Sequence, residues 1–146
     1  MSTGVKRNQL AAIEGSFLQA SILNGSGGTI NKATPVLING AGKLDNIDVS
    51  LATALGTIGV SSDTALNGNN NKIVFAGIIE DIGSSFANGD VIYVSKTGGL
   101  TEVKPSIGVN GFLAGDFVII VGSIAENKDN PVNNDLLVNI NLIGQL

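Results

Sequence analysis

The sequence contains no cysteine, no histidine and no tryptophan. Without thiols there is no disulfide framework and no iron–sulfur ligation, and without thiol or imidazole the common zinc sites are excluded. The same two absences remove Ser-His-Asp and Cys-His catalysis in one step. Charge is also scarce. Only 14% of residues are Asp, Glu, Lys or Arg, against a usual share of about 25%. Eight bases against twelve acids leave a net charge of −4, which argues against a nucleic-acid surface built on phosphate neutralisation. Apolar runs such as Phe117–Val121 are far shorter than the roughly 20 residues that cross a bilayer as a helix. The opening MSTGVKRNQL leads into no uninterrupted apolar stretch of the kind a secretory signal carries, so the chain is expected in the cytosol when made.

What is present is aliphatic and glycine-rich. A hydrophobic content of 43% excludes a disordered chain. A length of 146 residues fits one domain, which at this size buries roughly 68–70% of the surface its unfolded chain exposes. The polar surface falls to Asn, Ser, Thr and Gly. So thinly charged a surface is expected to be covered in part by partners.

The best-patterned stretch runs from Ile73 to Pro105. Ile73–Ile79 is apolar on both strand faces and predicts an inner strand covered on both sides. Asn88-Gly89-Asp90 turns the chain into the strand Val91–Val94, Thr97-Gly98-Gly99-Leu100 turns it again, and Pro105 ends the unit. A fainter copy follows. Gly89-Asp90-Val91-Ile92 is echoed by Gly115-Asp116-Phe117-Val118, and Gly77-Ile78-Ile79-Glu80-Asp81 loosely by Gly122-Ser123-Ile124-Ala125-Glu126-Asn127. Two Gly-Asp-led strands suggest corresponding positions in a barrel or sandwich.

Around this centre the chain reads as β structure with polar turns. Leu10, Ile13 and Phe17 have helical spacing, whereas Leu18, Ala20 and Ile22 alternate with polar residues. These predict a helical turn over 9–14 and a strand over 16–23, or else an apolar arm that orders against a neighbouring subunit. Asn24–Gly28 is a turn, Thr34–Ile38 a short strand with Pro35 at its start, and Asn39-Gly40 opens a hairpin loop longer than two residues. Leu44–Val49 has a strand pattern, and residues 51–58 hold a helical turn resisted by Gly56 and Gly59. Asn67–Asn71 is expected as an exposed loop tip. From Asp135 to Leu146 the residues Leu136, Val138, Ile140 and Leu142 share one face, which predicts a half-buried final strand.

Carboxylates are the only usual acid–base groups left. Glu80 and Asp81 are adjacent, so in a strand they point opposite ways and form no pair. Asp45, Asn46 and Asp48 offer oxygen ligands without the calcium-loop spacing or its distal glutamate. Asp129, Asn130 and Asp135 make another oxygen-rich loop. Gly25-Ser26-Gly27 falls short of a dinucleotide fingerprint because position 30 is Ile. A single tyrosine, Tyr93, leaves little for the stacking platforms of sugar sites. No catalytic, cofactor-binding or metal-binding residue is assigned, and no enzyme activity is expected.

Gly89-Asp90-Val91-Ile92-Tyr93-Val94-Ser95, then Gly98-Gly99-Leu100-Thr101 and Lys104-Pro105, resembles a module of bacteriophage head-fibre and capsid-decoration proteins. The Gly77 and Gly115-Asp116 segments look similar to the repeated strands of small decoration proteins, and the likeness spans about residues 73–125. It implies a β-rich protein on the phage head, commonly trimeric, with no catalytic residues to carry over. The expected architecture is therefore all-β, a small β-barrel or β-sandwich over residues 31–146, with residues 1–30 as an N-terminal arm or oligomerisation segment. The expected role is a structural virion protein that binds the outside of the capsid, its partner the major capsid protein, with no nucleic-acid or membrane partner. The alternatives are the base or shaft of a head or tail fibre, and a host-surface glycan-binding module using loops 67–71 and 106–115.

Overall fold

The computed structural model describes residues 18–146. Among them there are nine strands, one short 3-10 turn and no α-helix. The strands are β1 (Leu18–Leu23), β2 (Pro35–Ile38), β3 (Leu44–Asn46), β4 (Ile58–Ser61), β5 (Asn70–Ile79), β6 (Val91–Val94), β7 (Leu100–Thr101), β8 (Phe117–Glu126) and β9 (Asn134–Gln145), with the 3-10 turn at Ala52–Leu55. All pair antiparallel in one sheet ordered β3-β2-β4-β5-β9-β8-β6-β7, and β1 adds to β5. The sheet curls into a half-barrel. The all-β class is as expected, and the architecture is one rolled sheet.

β5 is the hub. Ala76 pairs with Asn139 of β9 and with Leu18 of β1, so those two strands lie on opposite edges. Val74 likewise pairs with Val60 of β4 and Gln19 of β1. Ten residues of β5 therefore hold β4 and β9 end to end on one edge and β1 on the other. Of the strand expected over 16–23, residues 18–23 are observed as β1 and the first two lie outside the described residues, and Ile30 makes an isolated bridge to Ala65. Leu18–Leu23, within the segment assigned to the arm from sequence, thus pairs with the sheet. The helical turn expected over 9–14 lies outside the described residues.

The inner face carries the main core, in which Val60, Val74, Ile79, Ile92, Val94, Ile119, Leu136 and Val138 pack together with Phe112. Burying one such side chain contributes about 1.5–3 kcal/mol. Ile30, Val36, Leu44 and Ile73 form a smaller second cluster. Phe112 reaches the main core from the long loop after β7. There Asn110 and Gly111 both take positive φ, 51° and 86°, and Phe112 N–H donates to Val109 O at 3.0 Å, the geometry of a type I′ turn.

Several local expectations hold. Pro35 is the first residue of β2, where no ladder N–H is required. The β2–β3 loop closes with Asn39 N–H donating to Lys43 O at 2.8 Å, so it is longer than two residues. Others need correction. β3 stops at Asn46, short of Val49, because Asp48 Oδ1 accepts from the Ser50 N–H and hydroxyl, a local turn that competes with pairing. β4 is a buried strand in a region that reads as helical turn and loop. Gly59 belongs to it because a Cβ there would lie 2.4 Å from Ile73 Cγ2 on β5.

Asn67–Asn71 is not a single exposed tip. Asn70 and Asn71 begin β5, and Asn71 is fully buried. Its side chain joins Ser61 and Asp63, with Ser61 Oγ donating to Asn71 Oδ1 at 3.1 Å and Asn71 Nδ2 donating to the Asp63 carboxylate. β9 departs from its pattern at the far end. Leu136 and Val138 are buried and Ile140 is half-buried, but Leu142 is 46% exposed. β5 pairs only with Asn139 back to Leu136, and β8 bulges around Val118–Ile119 and Ile120–Gly122, so beyond Ile140 the strand has one neighbour and a shifted register.

Candidate functional site

The Gly-Asp repeat is structural. In each copy the Asp N–H donates to the carbonyl three residues back, Asp90 to Ala87 at 3.0 Å and Asp116 to Leu113 at 3.1 Å. In each, Oδ2 accepts from that same residue's N–H, at 2.9 Å for Asp90 and 2.8 Å for Asp116. The preceding glycines have φ of 86° and 94°, which glycine adopts without penalty. Gly89 N–H donates to Ile124 O and Ile124 N–H returns to Asp90 O, at 2.8 and 2.9 Å. Gly115 and Asp116 repeat both bonds with Leu146, at 2.7 and 2.8 Å. One turn is built twice, on adjacent strands β6 and β8.

The copies differ in one charge. Lys96 Nζ donates to Asp116 Oδ2 at 2.7 Å. That bond, with the Leu113 N–H and over the opposing effect of burial, holds the Asp116 carboxyl below the ordinary 3.8 of an aspartate. This is a closed structural pair.

Several other carboxylates are similarly occupied. Asp48 is held below its ordinary value by the Ser50 hydroxyl and N–H, and Asp45 Oδ1 accepts from the Asn46 N–H. Asp45 and Asp48 flank a hollow of about 550 Å³ whose apolar wall includes Leu37, Leu51 and Leu55. Glu80 is exposed, while the Asp81 N–H donates to Asp135 Oδ1 at 2.8 Å. Asn127 Nδ2 donates to that same oxygen at 2.9 Å, so Asp135 ties the ends of β5 and β8 together. Asp129 pairs with Lys128, and Asn130 N–H donates to Asn127 Oδ1, so this loop does not converge on a ligand space. Among the described residues no three His, Cys, Asp or Glu side chains group to hold a metal. Tyr93 is 9% exposed and presents no open ring for stacking. In loop 67–71, Asn67 Oδ1 accepts from the Gly27 N–H.

What sequence reading missed is the outer face of the sheet. Cross-strand partners run Ile78–Leu137–Ser123–Val91 over β5, β9, β8 and β6, so these four side chains share one face. Ile78, Leu137 and Val91 are each 42–43% exposed. The expectation that Ile73–Ile79 is covered on both sides thus fails at Ile78. Leu137 separates two shallow hollows of about 220 and 230 Å³. Each suits one apolar side chain and falls below the roughly 300–1,000 Å³ of small-molecule sites. Glu80, Glu126 and Asp135 line the first, with Lys128. No sequence signal marks the row, because alternation sets Leu137 on the face opposite Leu136 and Val138 without saying which face is covered.

The site offers apolar contact, backbone turns and carboxylates engaged in the fold. Searches against protein-family models, curated proteins and solved structures return no match to this chain.

Proposed function

We propose that this protein is a structural component of a bacteriophage virion that binds the exterior of the capsid and stabilises or decorates it. The observation carrying this reading is the Gly89–Pro105 unit. The segment that resembles the phage module folds as one turn-and-hairpin, β6 paired with β7, and its Gly-Asp turn recurs at Gly115-Asp116. The surface supports it. Leu51, Leu66, Ile107, Leu113 and Val132 are each at least half exposed on a body with few charges, as fits a protein whose apolar surface is covered in an assembly. The partner in this reading is the major capsid protein, the protein is a trimer, and no catalytic step is involved. Attachment at many equivalent lattice points supplies stability through mass action and effective concentration.

Co-sedimentation with purified expanded capsids tests the proposal. Saturable binding at a fixed ratio to the capsid protein is expected, and no retention on any capsid lattice would sink it. The base or shaft of a fibre is the second reading, favoured by the long β8–β9 ribbon. It predicts binding at one vertex or tail site, with correspondingly few copies. Glycan binding finds less support, because Tyr93 and Asn71 are both buried.

A further inference from the structure

Five Asn-Gly pairs, beginning at Asn24, Asn39, Asn67, Asn88 and Asn110, read alike in sequence, and the fold sets one of them apart. We infer that Asn110 is a site of spontaneous covalent modification, where the Gly111 backbone nitrogen attacks the Asn110 side-chain amide and converts the residue to aspartate and isoaspartate.

The step needs no reagent but water. The Gly111 nitrogen bonds to Asn110 Cγ, the Cγ–Nδ2 bond breaks, and ammonia leaves with the proton that the Gly111 nitrogen gives up. The product is a cyclic succinimide, and no electrons pass to an oxidant. Water then opens the ring: addition at Cγ restores the peptide bond and leaves aspartate, while addition at the backbone carbonyl leaves isoaspartate. Glycine suits the second position because no Cβ hinders the approach of its nitrogen.

Reaction within the chain requires that the two groups can be brought to about 3–3.5 Å in an aligned geometry. In three pairs the nitrogen is already engaged. Gly25 N–H donates to Leu44 O at 3.1 Å, Gly68 N–H to Asn24 O at 2.8 Å and Gly89 N–H to Ile124 O at 2.8 Å. Asn24 is also fully buried, its amide donating to Gly28 O and Ala65 O. At Asn39 it is the side chain that is held, Oδ1 accepting from the Ala41 and Lys43 N–H groups at 2.9 and 3.1 Å. Asn110 is the exception. Its side chain and the Gly111 N–H make no hydrogen bond among the described residues, and both residues are exposed. The bonds that close this hairpin, Phe112 N–H to Val109 O at 3.0 Å and Gly108 N–H to Phe112 O at 2.8 Å, lie beneath the tip and leave it free to turn. Modification places a carboxylate beside Ile107, Val109 and Leu113, all exposed. Isoaspartate also lengthens the backbone within the turn that seats the buried Phe112. The inference rests on these turns and stands apart from the capsid reading.

The full chain is incubated in mildly alkaline buffer and digested, and each Asn-Gly peptide is followed by mass spectrometry. Enzymatic methylation of isoaspartate gives an independent readout. Asn110 is expected to convert about tenfold faster than Asn24, Asn67 or Asn88, whose glycine nitrogens must first break a backbone hydrogen bond. Asn39 should fall between. In denaturant the five rates should converge, because the selection lies in the fold. Asn110→Gln, whose longer side chain closes a ring far more slowly, should remove most of the isoaspartate from the folded chain. Equal rates at the five positions of the folded chain, or faster conversion at any of the other four, would overturn the inference. An Asn110 lead that persists in denaturant would overturn it too, as would an Asn110→Gln chain that forms isoaspartate at the parent rate.

Discussion

Gly77 and Gly122 stand opposite the same residue, Val138, on the two edges of β9. The equivalence continues one pair on, where Ile79 and Ile124 both face Leu136, and ends where Asp81 and Asn127 both donate to Asp135 Oδ1. The loose sequence echo between the Gly77 and Gly122 segments is therefore a pseudo-symmetric pair of strands flanking β9.

Gly122 sets how close β8 and β9 come. A Cβ there would fall 1.8 Å from Leu137 O, a backbone atom that cannot swing aside. Gly122→Ala is expected to cost about 3 kcal/mol or more, or to prevent folding. Gly144→Ala, with nothing within 4 Å of its Cβ, should stay within about 0.5 kcal/mol. Denaturant melts of the two variants give the comparison, and similar losses would refute the close approach.

Asp116 should make stability fall in acid. Its folded pKa is depressed below 3.8 by Lys96 and the Leu113 N–H. The stabilisation is therefore present above 3.8 and is lost as pH falls through the lower folded value. Asp116→Ala should cost about 1–3 kcal/mol at neutral pH through the lost charged hydrogen bonds. Its deficit relative to the parent should shrink in melts taken below that range. A deficit unchanged with pH would contradict the linkage.

Asn71 and Asn69 separate fold from surface within one asparagine run. Asn71→Ala leaves Ser61 and Asp63 without their buried partner and is expected to cost about 1–3 kcal/mol. The exposed Asn69→Ala should change stability by less than about 0.5 kcal/mol. Thermal melting distinguishes them, and equal stabilities would mean the Asn71 network contributes nothing.

Aspartate substitutions along β9 should be graded. Val138→Asp buries an unpaired charge at a position only 2% exposed and should abolish folding. Ile140→Asp, at a half-buried position on the rim of the core, should destabilise while leaving a folded fraction, and Leu142→Asp should be mild. Soluble yield and circular dichroism of the three give the order, and a reversed order would refute the burial gradient.

The local pattern was sufficient wherever the chain's own neighbours decide the conformation. The alternation at Leu18–Ile22, the proline opening β2, the Asn39-Gly40 loop and the Gly-Asp turns are legible because each depends on contacts within a few residues or on one glycine's positive φ. The absence of thiol and imidazole chemistry is likewise a property of composition. β4 was not legible, because Gly59 reads as a breaker until Ile73 is seen to require the missing side chain. The burial of Asn71 also depends on partners, eight and ten residues back, that only folding brings near. The outer row belongs wholly to tertiary structure. Ile78, Leu137 and Val91 are unremarkable aliphatics in sequence, and only strand register brings them onto one face. Only the sheet's curl decides which of its two faces is filled by core and which is left open, since side-chain alternation marks two faces without saying what covers either.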